Sequence, residues 1–200
     1  MDMTQKISPH TVRLDIYSLS TKQLLEHFKT LPAPTIAEMD GEYTATLLQQ
    51  PNFLATLSGK VSLNNPLYMG KWLCKAFRPV DAESGRGYNT FKHLGRIKQQ
   101  FPMQTLIAPS RYDGRPAYTL VYRAFQSMCG DIHMVDEVRS MGDGRYLGIG
   151  TWGFSNFQRK IALPFLLTKT PVAYRGDIGV ARPGFRLQDE VPTLRSKLKR

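Results

Sequence analysis

Cysteine is scarce in this chain. Cys74 and Cys129 stand far apart in 200 residues, so they offer neither a disulfide framework nor the paired spacing of a metal site. Two buried free thiols are favoured over a single disulfide. Histidine is scarce as well: His10, His27, His93 and His133 fall at no metal-ligand spacing, and no metal site is expected. No apolar run approaches the roughly 18 residues that cross a bilayer as a helix. The opening "MDMTQKISPHTVRLDIYSLS" lacks the apolar core of a signal peptide. Together these absences point to a reducing, cytoplasmic setting. Familiar catalytic signatures are missing too. There is no G-x-S-x-G elbow, and "GKWLCK" lacks phosphate-loop spacing. "SGRGYN" opens no apolar helix on which an anion could rest. No cofactor is expected.

Acidic residues are outnumbered, 16 against 27 lysines and arginines, which leaves a net charge of +11. Such an excess favours anionic partners in general. Its distribution argues against nucleic acid. The C-terminal "RSKLKR" carries Arg195, Lys197, Lys199 and Arg200, and the rest is scattered without a basic helix or an aromatic-interleaved stripe.

What the chain does have is turns and aromatics: 16 glycines, 13 prolines, nine tyrosines and ten phenylalanines. That mixture favours many strands joined by many turns. The length suits one domain, read as an N-terminal arm over 1–18, a single domain over 19–175 and a basic arm over 176–200. One helix is clear. In "LSTKQLLEHFKTLPAP", Ser20 is an N-cap and Gln23 completes a capping box. Leu19 and Leu24 occupy the staple positions, Leu24, Leu25 and Phe28 share a face, and Pro32 ends the helix. It reads as a lid or plug over a core.

Strands follow. "GEYTATLL" alternates, with Tyr43, Ala45 and Leu47 on one face. "PNFLATLSG" reads as a helical turn or two. In "YMGKWLCKAF", simple alternation places Trp72, Cys74 and Ala76 on one face, and Lys71, Lys75 and Phe77 on the other, with the lysines toward water. "DAESGRGYN", 81–89, reads as a flexible loop. Asp113-Gly114 and Gly142-Asp143-Gly144 mark two hairpins, the second placing Tyr146, Gly148 and Gly150 on one side. With "IALPFLL" and "PVAY" the chain offers about eight to ten strand candidates. Sequential antiparallel strands in that number close into a barrel or pack as a sandwich, because open edges are a liability.

Few side chains suggest chemistry. Cys74 reads as a buried structural thiol. In "VDEVR", Glu137 and Arg139 share a strand face opposite Asp136. An inward Arg139 would need a partner and would suit a carboxylate-bearing ligand; an outward one is an ordinary surface ion pair. Tyr43, Trp72, Tyr112, Tyr122 and Trp152 fall on or beside strands and have the apolar body and polar tip that line small-molecule cavities. Arg123 and Arg139 are the candidate arginines.

Three blocks carry a family resemblance. "LPAPTIAEMDGEYTATLL" resembles the opening of the GXWXG / DUF4334 proteins: Leu31-Pro32 precede Gly41, Tyr43 replaces the tryptophan and Ala45 the second glycine. "YMGKWLCKAF" is similar to their second block, with Trp72, Lys75 and Phe77 matching and Cys74 in place of a glycine. "SRYDGRPAYTLVYRAF" is similar to a later block through Tyr112, Asp113 and Pro116, with Tyr122-Arg123 ending the strand. The resemblance spans about residues 25 to 150. It implies a lipocalin-like look, and it brings no catalytic residues. Gly70-x-Trp72 also resembles the G-x-W that closes one end of lipocalin barrels.

The expectation is therefore a mainly β protein: an antiparallel, lipocalin-like barrel or strongly curved sheet with a short N-terminal helix. It would bind a small, largely apolar molecule, a lipid or aromatic metabolite with or without an acidic group. The alternative is an enzyme on the same scaffold, with Asp136 or Glu137 as general acid or base and Tyr122 as partner. Homo-oligomerisation is left open.

Overall fold

The computed structural model describes residues 15–51 and 70–194. The chain is mainly β. Eight strands close into one antiparallel barrel in sequence order, each paired with its neighbours and the last with the first. They are β1 (Gly41–Leu47), β2 (Gly70–Pro79), β3 (Ser84–His93), β4 (Arg96–Pro109), β5 (Pro116–Val121), β6 (Val135–Gly142), β7 (Arg145–Thr151) and β8 (Leu163–Lys169). The reading of "PNFLATLSG" lies outside the described residues, except for its first proline.

Alternation decides what faces inward. Tyr43, Tyr118, Val138, Tyr146 and Leu167 all join the interior cluster, as strand periodicity requires. One end of the barrel is shut. Ile36 and Met39, just before β1, pack into that cluster. The Tyr43 hydroxyl donates to Glu38 O at 3.0 Å, and that of Tyr146 to a Glu38 carboxylate oxygen at 2.7 Å. Tyr43 also packs edge-on against Tyr146, with ring centroids 5.4 Å apart.

The helix α1 (Thr21–Thr30) has the expected capping box, with Ser20 N donating to Gln23 Oε1 at 2.9 Å. It is not a plug. Leu24 and Phe28 bury against Leu147, Ile149 and Leu166 on the outer wall, which stabilises by about 1.5–3 kcal/mol for each fully buried side chain. As far as Leu194, the C-terminal segment packs against the barrel wall. Val191 packs outside β4 and β5 with Ala108 and Val121, and Arg182 N donates to Ala124 O at 2.9 Å.

Residues 81–89 are not a loop. Only a tight turn remains, and β3 begins at Ser84. The glycines that suggested flexibility serve close packing: a Cβ at Gly87 would lie 2.6 Å from Ala76 O. Gly148 is held in the same way, because a Cβ there would enter the ring of Phe165. Gly148→Ala is expected to cost about 1–3 kcal/mol by overpacking, seen as a lowered melting temperature.

Candidate functional site

The second β-strand holds the main surprise. Its pairing with β3 shifts by one residue between Trp72 and Cys74. A bulge of this kind reverses which face later side chains take. Trp72 and Lys75 therefore both point inward, while Cys74 turns outward. The expected face assignment is corrected for this reason, and Lys75 does not face water: its side chain is 4% exposed.

Inside, Lys75 belongs to a polar group drawn from three strands and the turn after β5. Its ammonium lies 2.8 Å from Asp136 Oδ2, 3.0 Å from Asn89 Oδ1 and 2.5 Å from the Tyr122 hydroxyl. Tyr122 donates to Asp136 Oδ2 at 3.0 Å and accepts from Asn89 Nδ2 at 3.3 Å. Trp72 Nε1 donates to Asn89 Oδ1 at 3.1 Å. The rings of Trp72, Tyr122 and Phe165 surround the ammonium, each centroid 5.1–5.2 Å away. An ammonium has three donors, and all three are used.

The electrostatics follow from burial. Desolvation, followed by the Asp136 charge, pushes the Tyr122 phenol well above its ordinary range, so it stays protonated and can donate. Burial also pushes the Cys129 thiol up to about 12, against the opposing pull of Lys75. Both cysteines are free and buried, as expected from the sequence, and neither is an activated nucleophile.

The remaining candidates separate. Tyr43 faces inward directly opposite Lys75 in the register, but its hydroxyl turns to Glu38 at the shut end. Glu137 and Arg139 do share a face, but it is the outer one, covered by α1 and the β4–β5 turn. Glu137 accepts from Ser110 Oγ and from Arg111 N. Arg139 is 0% exposed and forms a bidentate pair with Asp113 at 2.7 and 2.8 Å. Its other bonds go to the carbonyls of Phe28, Arg115 and Pro116. All five guanidinium donors are occupied, so it is a clamp on the helix rather than a grip for a ligand. Tyr112 lies outside the barrel too, packed on Phe28, its hydroxyl buried without a partner. Arg123 is at the surface near Glu190. Trp152 is 42% exposed.

Thus the interior brings together Trp72, Tyr122 and Asp136 from the sequence candidates and adds Lys75 and Asn89. Asn89 had a legible signal, since Gly85, Gly87, Asn89 and Phe91 alternate once β3 is taken as a strand. Lys75 had none without the bulge. Among the described residues no group of His, Cys, Asp and Glu is arranged to hold a metal.

Comparison with known proteins adds the fold. No family model and no curated protein matches the chain. A crystal structure of a protein from Thermomonospora curvata is similar at TM-score 0.50 and 14% identity, over 76% of this chain and 88% of that one. At that identity the likeness speaks for the barrel alone.

Proposed function

We propose that the barrel binds a small, largely apolar molecule with an oxygen-bearing polar end, such as a lipid or an aromatic metabolite, with its polar end at Lys75, Tyr122 and Asn89. The observation that carries this reading is a complete polar network buried in an otherwise largely apolar interior. A buried ion pair is poor value for stability, since apolar side chains of similar volume do as well or better. A buried group perturbed by desolvation and by a specific charge, as Tyr122 is beside Asp136, marks a candidate functional site. An eight-stranded barrel is just wide enough to be filled by side chains or to hold one small ligand.

The mechanism is exchange. A ligand oxygen takes the place of Asn89 or Asp136 on the Lys75 ammonium, and Tyr122 offers its proton to the newcomer. Trp72 and Phe165 desolvate the apolar body. The resemblance to the GXWXG / DUF4334 proteins implies the lipocalin-like barrel on which this reading stands. The two free thiols fit a cytoplasmic protein. The test is mass spectrometry of the purified protein, native and then denatured. A small molecule released on denaturation, and absent from Lys75→Met, is expected; release of the same molecule from both proteins would count against the site.

A second reading has one observation of its own. The Asp136 carboxylate and the Tyr122 hydroxyl are in direct contact at 3.0 Å, the arrangement a general base and its partner acid require. Under this reading Asp136→Asn abolishes turnover of the bound molecule while leaving its binding intact. Glu137, turned outward, has no part in it.

A further inference from the structure

The two ends of the barrel differ in their surface. The shut end carries turns of both signs, with Asp81 and Glu83 near Arg78, and Asp113 near Arg115. The other end, toward which the Lys75 ammonium reaches to Tyr122, is different. There the β3–β4 hairpin exposes Lys92, Arg96 and Lys98 together with Leu94 (78% exposed) and Ile97 (45%). On the opposite side of this end, the connection from β7 to β8 exposes Trp152, Phe154 (68%) and Phe157 (79%), beside Lys160. Neither 90–101 nor 152–162 contains an aspartate or a glutamate. Asp131 and Glu190 are engaged elsewhere, with Arg182 and with His133.

Two phenylalanines and a tryptophan exposed within six residues need a partner, because apolar patches on soluble surfaces mark interaction sites. The aromatic loop is held rather than loose. Gly153 N donates to Ile132 O at 2.9 Å, Arg159 Nε donates to Gly153 O at 2.8 Å, and the His133 ring packs edge-on to Phe154. Aromatic side chains beside uncompensated cations are what the boundary of an anionic bilayer recognises: the rings enter the headgroup–acyl boundary and the cations meet the phosphates. Nucleic acid fits less well, since the cations form no continuous stripe along the aromatics.

We propose that this end of the barrel docks on the headgroup surface of an anionic phospholipid bilayer, with Trp152, Phe154 and Phe157 entering it and Lys92, Arg96, Lys98 and Lys160 facing the phosphates. Docking does not need a ligand inside the barrel, and it stands apart from the binding reading. It places the end of the barrel that holds the polar network against a bilayer.

The test is flotation of the full chain with phosphatidylcholine vesicles, with and without phosphatidylserine, at low and high salt. The protein is expected to float with the anionic vesicles at low salt and to be released by salt. Neutralising Lys92, Arg96 and Lys98 to glutamine should weaken partitioning about a hundredfold, at about fivefold per cation. Phe154→Ser with Phe157→Ser should weaken it at least about tenfold. These positions are exposed, so the variants should melt like the wild type. Trp152 fluorescence should shift to the blue on binding, and Trp152→Phe should remove the shift while the interior Trp72 stays silent. Failure to float with anionic vesicles at low salt overturns the proposal. So does flotation that neither variant changes, and so does binding to an oligonucleotide without binding to vesicles. A co-purified ligand without flotation would sink this inference alone; flotation of a protein with an unchanged Lys75→Met ligand profile would sink only the site.

Discussion

Lys75→Met is expected to lower the free energy of unfolding by about 3–5 kcal/mol, because it leaves the Asp136 carboxylate buried without its counter-charge. Both side chains are under 5% exposed, so solvent cannot take over. The companion variant decides what the pair is for. Lys75→Met with Asp136→Leu removes both charges and adds apolar surface, and it should recover wild-type stability or exceed it. Urea denaturation of the three proteins measures this directly. Recovery in the double variant means the pair is dispensable to the fold, which is what a binding site kept at a cost would show. A double variant as unstable as the single one would make the network a structural element of the barrel.

The second large effect lies on the outer wall. Arg139→Met is expected to cost about 3–5 kcal/mol as well, since a buried charge pair is broken from one side. The loss should be local at first. Arg139 donates to Phe28 O near the end of α1 at 3.0 Å and its guanidinium lies over the Phe28 ring, 4.6 Å from the centroid. Hydrogen exchange in Thr21–Thr30 should therefore accelerate before that of the strands. The pH dependence has a definite sign. Burial pushes the Asp113 carboxyl up, but the Arg139 hydrogen bond and its other donors outweigh that and hold it below its ordinary value. A depressed carboxylate contributes stability that is complete above its unfolded pKa, about 3.9, and that is lost as pH falls through the lower folded value. Wild type should lose this contribution in acid, and Arg139→Met should show less of that loss.

Much of the fold was legible. Alternation in β1 and the two glycine-marked hairpins reports a half-buried strand pattern, and the capping box of α1 is purely local. What was not legible is non-local. The helix reads as amphipathic, but nothing in its sequence says whether it plugs a barrel or lies along the wall. The glycines of "SGRGYN" look like flexibility until Ala76 O is placed 2.6 Å from where a Cβ of Gly87 would be.

The site was half legible for a sharper reason. Trp72, Tyr122 and Asp136 were found because aromatics and carboxylates on strands attract notice. Arg139 attracted the same notice, and the structure gives it to α1 and Asp113. A period of two through "GKWLCK" puts Lys75 in water. One extra residue in β2 moves it from the surface to the centre of the barrel, and bulges leave no composition signal in a single sequence. Tyr112 and Trp152 show the converse: strand-adjacent aromatics that never reach the interior.

The most direct test of the account is titration of a fluorescent apolar carboxylate, such as a polyene fatty acid, into wild type and into Lys75→Met/Asp136→Leu. The account predicts saturable binding to the wild type, with quenching of Trp72, and loss of at least about tenfold in affinity in the double variant, for one lost charge-assisted hydrogen bond. Equal binding by two equally stable proteins would contradict it.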